Sequence, residues 1–378
     1  LMGSPKNTSP QPKVLHVTFN MGIGGTEQVI RQLVLGSRGQ EVEHEIVCID
    51  GQVGAIGEQM REDGIPVHRI SRAPGFDWKL IRGLRNLIRA QDVSIVHCHQ
   101  YTPFLYGRLA ALRTGAKVVF TEHGRFYPDR YRCKAALINP LLALLTPAIV
   151  AISGATRDAL AKYEFMPKSK IQVIYNGIQP LKANPARISE LRSELGIPED
   201  SFVYGTVSRL DPVKNQTMML QSFARCLKDY PESYLLMVGD GPERQALEAL
   251  AASLGLSEKV CFTGFINEPA QHLALMDAFL LSSHTEGTSM TLLEAMSLGL
   301  PAVVTAVGGN VEVVEHELSG LIAPDSDTAA FAKEMVRLQQ QTTLREKISE
   351  AARDRFQSRF SAEAMVKSYL RIYYQLLS

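Results

Sequence analysis

Short apolar runs alternate with longer amphipathic stretches along the whole chain. In the first half they fall at 13–19, 44–50, 67–70, 94–99, 117–121, 149–153 and 172–175, and in the second at 202–207, 234–238, 260–263, 278–283, 302–305 and 321–323. Brief runs rich in Val, Ile, Leu and Phe predict buried strands, and the helical spacing of apolar residues between them predicts crossover helices. This is an α/β pattern stated twice. It implies two Rossmann-like domains with parallel sheets, each covered on both faces and the two facing across a central cleft.

The boundary is expected after Asn176-Gly177-Ile178, because residues 179–198 carry Pro180, Pro185 and Pro198 around one polar helix and read as a linker. The domains are therefore expected at 13–178 and 179–360, behind a disordered N-terminus of residues 1–12 that is rich in Pro, Ser and Asn. Residues 361–378 place Met365, Tyr369, Ile372, Tyr373 and Leu376 on one helical face. The longest apolar stretch, 135–153, contains Asn139, Pro140, Thr146 and Pro147, and so predicts a short buried helix and a buried strand rather than a membrane span. The first twelve residues lack the apolar core of a secretory signal.

Composition narrows the class. A chain of 378 residues with 45% hydrophobic and 21% charged residues is globular and long enough for two cores. Its formal net charge of +1 argues against a surface built to trap nucleic acid, so no nucleic-acid partner is expected. The five cysteines are scattered, without a Cys-x-x-Cys pair, and Cys48, Cys98 and Cys261 fall inside strand-like runs. That usage suits a reduced, cytoplasmic protein in which a thiol serves as a small apolar side chain.

The candidate chemistry gathers at strand ends, where open α/β sheets bind ligands. Arg209 and Lys214 lie in the segment Ser208-Arg209-Leu210-Asp211-Pro212-Val213-Lys214-Asn215, directly after one strand. Two cations there suit a diphosphate. After the strand at 278–283, Glu286 and Glu294 stand with seven residues between them, and Gly287, Thr288 and Ser289 suit a turn and an N-cap before an apolar helix. The unpaired N–H groups of such a terminus attract anions, and Glu294 within the helix is placed to reach a ribose or sugar hydroxyl. The plainer alternative is one loop carboxylate and one first-turn carboxylate favouring the helix dipole.

In the first half, Met21-Gly22-Ile23-Gly24-Gly25-Thr26-Glu27 follows a strand and opens a helix, as a dinucleotide-binding turn does, and Asp50 lies at a spacing suited to a ribose. Glu27, however, puts an anion where the third glycine and a pyrophosphate belong. His97 and His99 alternate around Cys98 and share one face of a strand, while His123 ends the next. Three imidazoles suit a metal, yet no carboxylate cluster accompanies them, and no metal site is assigned. A basic amphipathic helix is expected at 78–89, and Arg125, Arg130, Arg132 and Lys134 interleave with Phe126, Tyr127 and Tyr131. Both suit an anionic membrane surface as well as ordinary sheet covering.

Arg209 with Lys214, Gly239-Asp240-Gly241-Pro242-Glu243, Phe262-Thr263-Gly264-Phe265 and the run from Glu286 to Met296 follow one another in an order that resembles the retaining glycosyltransferases of family GT4. Gly299-Leu300-Pro301 and Val307-Gly308-Gly309-Asn310-Val311-Glu312 extend the likeness. So do Gly24-Gly25-Thr26-Glu27, Glu122-His123-Gly124 and Asn176-Gly177-Ile178, so that it spans nearly the whole chain. Two departures, Gly-Thr-Ser after Glu286 where relatives often carry an aromatic residue and Val311 where proline is frequent, bear on donor identity.

The resemblance implies the GT-B fold, with the C-terminal helix returning to an acceptor-binding first domain and the second domain binding the donor. It implies transfer of a sugar from a nucleotide diphosphate sugar, with UDP the commonest carrier, to an acceptor hydroxyl, with retention. His123, Arg209, Lys214 and Glu286 would be catalytic. Gly25, Asp240, Gly241, Phe265 and Ile266 would meet the donor, as would Gly287, Thr288, Ser289, Met290, Thr291 and Glu294. Gly24, Glu27 and His99 would meet the acceptor, a glycan or lipid-linked glycan of bacterial cell-surface polysaccharide synthesis. Neither a metal nor a cofactor is implied, and the enzyme would be cytoplasmic, peripheral at the inner face of the plasma membrane. The alternatives are a sugar nucleotide epimerase, a glycogen-type phosphorylase and a non-catalytic nucleotide-sugar binding protein on the same scaffold.

Overall fold

The computed structural model describes residues 11–124 and 136–378. The chain divides into two units, one of residues 1–177 with 362–378, the other of residues 178–361. The first holds β1 (Lys13–Thr18), β2 (Glu43–Cys48), β3 (Val67–Arg69), β4 (Val93–His99), β5 (Lys117–Glu122), β6 (Ala148–Ala151) and β7 (Ile171–Val173). They form one sheet in the order β3-β2-β1-β4-β5-β6-β7, every pair parallel. The second unit has β8 (Val203–Val207), β9 (Tyr234–Val238), β10 (Val260–Gly264), β11 (Ala278–Leu281), β12 (Ala302–Thr305) and β13 (Leu321–Ala323). Their order is β10-β9-β8-β11-β12-β13, again parallel throughout.

The two faces of the first sheet differ. Leu15, Val17, Val47 and Ile49 pack with Leu80, Leu84 and Phe104 on one side. Val14, Ile95, Val119 and Val150 pack on the other with Val29, Leu33 and the C-terminal helix Ala362–Leu377, through Met365, Tyr369 and Tyr373. Because side chains alternate along a strand, the residues that share this second face with Val14, Ile95 and Val119 are His16, His97 and Thr121. Polar groups therefore lie in the middle of a covered sheet. In the second unit Tyr204, Leu235, Met237, Leu280 and Val303 pack against Phe223 and Phe331 without any such layer.

The helix Trp78–Ala90 is capped by Asp77, which accepts from Lys79 N at 2.8 Å and Leu80 N at 3.2 Å. It buries Leu80, Ile81, Leu84 and Ile88 against the sheet, so its apolar face is core. The expected buried helix after residue 135 needs correction. Asn139–Leu144 is a two-turn helix that buries Leu142 and Ala143 but leaves Leu141 58% and Leu144 63% exposed. So short a helix can press only one face on the sheet, while β6 is buried as the sequence suggests. The basic aromatic run at 125–134 and most of the expected disordered N-terminus lie outside the described residues. Among the described residues no helix is long and apolar enough to cross a membrane.

Candidate active site

In the second unit the loops that leave the carboxyl ends of the strands are tied to one another. Ser208 N donates to Val238 O, Leu210 N to Asp240 O, and Gly239 N to Gly264 O, joining the exits of β8, β9 and β10 at 2.9–3.0 Å. Gly239 has φ +140°, and a Cβ there would overlap the Ser208 carbonyl oxygen. Glycine is required for that approach. Gly309 N donates to Glu286 O at 3.0 Å, and a Cβ on Gly309 would overlap the Gly287 carbonyl oxygen. The Gly-Gly pair after β12 thus supports the loop after β11.

Lys214 ends a single 3₁₀ turn, Pro212–Lys214, which Asp211 opens by accepting from Val213 N at 3.1 Å. Asn215 then turns left-handed (φ +49°), a conformation its short polar side chain tolerates, and caps the helix Gln216–Cys226. The Ser282 hydroxyl at the end of β11 holds this turn by donating to Lys214 O and Asn215 O, each at 2.9 Å. Lys214 Nζ accordingly reaches Glu286 Oε1 at 2.6 Å, and the Ser283 hydroxyl donates to the same oxygen at 2.6 Å. The Glu286 side chain is only 8% exposed, so the ammonium is its principal compensation. Arg209 is 72% exposed, its nearest anion being Asp211 at 3.9 Å. Ser283 is a partner of Glu286 that the motif spacing did not indicate.

Ser289 caps the helix Met290–Ser297, accepting from Leu292 N at 3.3 Å, with Thr291 Oγ1 also 3.3 Å away. On either side of this cap, Thr288 Oγ1 and Glu294 Oε2 are shielded from solvent and lack a hydrogen-bond partner. Burial raises the Glu294 carboxyl above its ordinary range. Native structures rarely leave such atoms unsatisfied, and this helix terminus can accept a hydroxyl and an anionic group. Asp240 pairs with Arg244 at 3.3 Å and accepts from Gly241 N at 2.8 Å; Phe265 is 76% exposed, with Ile266 half-buried beside it.

The first unit concentrates histidines. His99 Nδ1 lies 2.8 Å from His123 Nε2, and His99 Nε2 lies 3.0 Å from His16 Nδ1. His16 Nε2 lies in turn 2.9 Å from His44 Nδ1. His97 stands beside this line, its Nδ1 2.7 Å from the Tyr373 hydroxyl and its Nε2 2.8 Å from Thr121 Oγ1. Burial, reinforced by neighbouring rings, holds His16, His97 and His99 well below the usual histidine range, while burial alone lowers His44 to about 4 and His123 to about 3. All five rings are therefore neutral at pH 7. His16, His97 and His99 can bring one nitrogen each within 4.8 Å of one another, as a metal would require. Those nitrogens are already engaged by rings and hydroxyls, so the trio is a hydrogen-bonded layer.

Elsewhere in that unit the Glu27 carboxylate folds back against Gly24, while Gly25 has open space around it. Asp50 accepts from Asn20 Nδ2 at 2.5 Å and Gln52 N at 2.9 Å, and is thus committed to the loop structure.

The profile of Glycosyltransferase Family 4 matches residues 23–180, and that of Glycosyl transferases group 1 matches residues 187–355. The chain belongs to this glycosyltransferase family. N-acetyl-alpha-D-glucosaminyl L-malate synthase of Bacillus anthracis is 26% identical over 370 residues, 96% of each chain. The UDP-Gal:alpha-D-GlcNAc-diphosphoundecaprenol alpha-1,3-galactosyltransferase of Escherichia coli is 26% identical over 345 residues, 88% of this chain and 89% of that one. In fold, the glycosyltransferase resembles Anabaena Alr3699/HepE, solved in complex with UDP, with a TM-score of 0.82 at 22% identity over 96% of this chain and 100% of the other. The architecture is GT-B, and the protein is a glycosyltransferase that uses nucleotide sugars.

Proposed function

We propose that this glycosyltransferase moves a hexosyl group from a UDP-sugar to an acceptor hydroxyl, with retention and without a metal, in the synthesis of a bacterial cell-surface glycan. The observation that carries the reading is the pair of unsatisfied atoms, Thr288 Oγ1 and Glu294 Oε2, at the helix start that follows the Lys214–Glu286 pair. In this reading the second unit binds the donor. Lys214 and Arg209 take up charge on the leaving diphosphate, and the N–H groups after Ser289 add donors to it. Glu286, which pairs with Lys214 at 2.6 Å, meets sugar hydroxyls once the diphosphate draws Lys214 away, and Glu294 accepts from the ribose. Cations and N–H groups answer the diphosphate charge in place of a metal, which favours metal-independent chemistry.

The first unit takes the acceptor, with Gly24, Glu27 and His99 on that side, Gly25 toward the donor and His123 at the transferred sugar. The galactosyltransferase relative is named for a diphosphoundecaprenol acceptor, which supports a lipid-linked glycan here. Peripheral membrane association follows from Trp78, 72% exposed, with Lys79, Arg82 and Arg89 also outward on the same helix, and from the exposed leucines of Asn139–Leu144.

The test is a thermal-shift panel of UDP, GDP and ADP, with and without Mg²⁺, followed by turnover of UDP-hexoses. A metal-independent shift with UDP, lost in Lys214→Ala, is expected. A shift with GDP or ADP alone would reassign the donor, and no shift with any would remove the reading. Flotation with anionic vesicles tests the surface, where failure to bind at low salt sinks it.

A further inference from the structure

We propose that His123, His99, His16 and His44 form a proton relay through the first unit, running from His123 Nδ1 to a cavity that opens against His44. The three ring-to-ring contacts measure 2.8, 3.0 and 2.9 Å and use both nitrogens of the two inner rings. Each contact accommodates one hydrogen, so the four neutral rings must all carry it on Nε2 or all on Nδ1. Only the two end atoms, His123 Nδ1 and His44 Nε2, lack a partner, and both are shielded from solvent. The line runs across the sheet. His99 and His123 lie at the carboxyl ends of β4 and β5, His16 is within β1, and His44 is near the amino end of β2. There His44, itself 8% exposed, lines a cavity of about 470 Å³ together with Ser37, Arg38, Glu43 and Glu45. His97 stays outside the line because Tyr373 and Thr121 satisfy it.

The relay rests on the transferase reading for its purpose. Sugar transfer from a nucleotide diphosphate releases the acceptor's hydroxyl proton, which the leaving phosphate takes. Because a terminal phosphate has a second pKa near 6, that proton must leave the site around neutral pH. Accepted at His123 Nδ1, it forms an N–H bond there while His123 Nε2 gives its proton to His99 Nδ1. His99 Nε2 then gives to His16 Nδ1, His16 Nε2 to His44 Nδ1, and His44 Nε2, which is sealed in the resting fold, to a water admitted beside it from the cavity. Four N–H bonds form and four break, and every ring begins and ends neutral, which suits a buried path where an imidazolium is unfavourable. After product release, a proton entering at His44 Nε2 runs the four transfers backwards and expels one from His123 Nδ1 into the emptied site, which restores the tautomers; the chain thus holds the proton away from the site while products are bound.

Two measurements test it. Nitrogen-15 NMR of the imidazoles in the histidine-labelled full chain should find one shared tautomer for all four rings; unlike tautomers, or a ring that charges near pH 6.5, would overturn the wire whatever the enzyme transfers. In kinetics, His44→Gln, which can still hydrogen-bond His16 but cannot pass a proton on, should lower kcat about a hundredfold with donor KM unchanged, and should make a curved proton inventory linear. His44→Asn replaces it if the Gln variant does not fold. Normal kcat with an unaltered inventory would reject the relay and leave the transferase reading standing. Shared tautomers in a chain that turns over no UDP-sugar would reject that reading and leave the wire.

Discussion

The two units share one architecture and place their polar chemistry in opposite ways. In the first, histidines and hydroxyls form a layer within the sheet, between strands and the C-terminal helix, and every ring is held neutral. In the second the sheet interior is apolar apart from Thr206 and Thr305, and charge sits at the strand ends in loops stitched by backbone hydrogen bonds and glycines. A doubly wound sheet offers a site at its strand ends without cost to its core, whereas polar groups inside it require complete pairing. The second unit has unsatisfied Thr288 and Glu294 atoms beside a strand-end loop, whereas the first unit's histidine layer is unsatisfied only at the two ends of its line.

The sharpest way to break this contrast is Lys214→Ala. Removing a donor aimed at developing charge should lower kcat about 10²–10³-fold, and Arg209→Ala should act in the same direction. Arg209 is mostly exposed, so its loss should leave thermal unfolding unchanged. Near-normal turnover in both variants would refute the roles assigned to this loop.

Acid should then separate the units by stability. The first unit's rings have folded pKa values below the unfolded value, so the unfolded chain binds more protons once pH falls under 6.5. Stability from neutral rings is fully present above 6.5 and is lost as pH drops toward the folded values. For His44, lowered from 6.5 to about 4, the loss reaches about 3 kcal/mol by pH 4. Hydrogen exchange between pH 7 and 4.5 should show β1, β4 and β5 losing protection before β8 and β9; simultaneous loss would contradict the account.

The sequence made one of these two arrangements visible. Strands and crossovers were legible because their apolar runs are short and bounded, and the loop site because Arg209, Lys214, Glu286 and the Ser289 cap lie in local segments. Lys214 and Glu286 do meet, as do His99 and His123. The histidine layer was only half legible. Alternation put His97 and His99 on one face, but His16 and His44 gave no signal beyond being polar residues in apolar runs. Their meeting depends on the strand order β2-β1-β4-β5 and on tyrosines more than 240 residues away in the chain from Thr121 and His97. The exposed leucines of Asn139–Leu144 misled for a related reason: apolar content shows what can be buried, and only tertiary packing decides which face is.

Tyr373→Phe probes the layer where it is fully paired. The substitution keeps the ring and removes the hydroxyl, leaving His97 Nδ1 buried without a partner. It should cost about 1–3 kcal/mol, read as a lower urea midpoint at constant slope. A cost near zero would mean that His97 is held by Thr121 alone and that the layer tolerates vacancies.

Glu294→Gln probes the opposite condition and should have the smallest effect on the free protein. Glu294 Oε2 is shielded and unpaired, and burial raises its carboxyl, so the charged form burdens the folded state above the folded pKa. Neutralising it should stabilise the free protein at pH 7.5 by roughly 0.5–1 kcal/mol, and this gain should shrink as acid protonates the wild-type group. UDP affinity should fall in the same variant if the carboxylate receives a ribose hydroxyl. Opposite signs in stability and binding would identify a group kept unsatisfied for a ligand. Equal loss in both would make Glu294 a structural residue, and would leave Thr288 as the one unpaired group at this helix terminus.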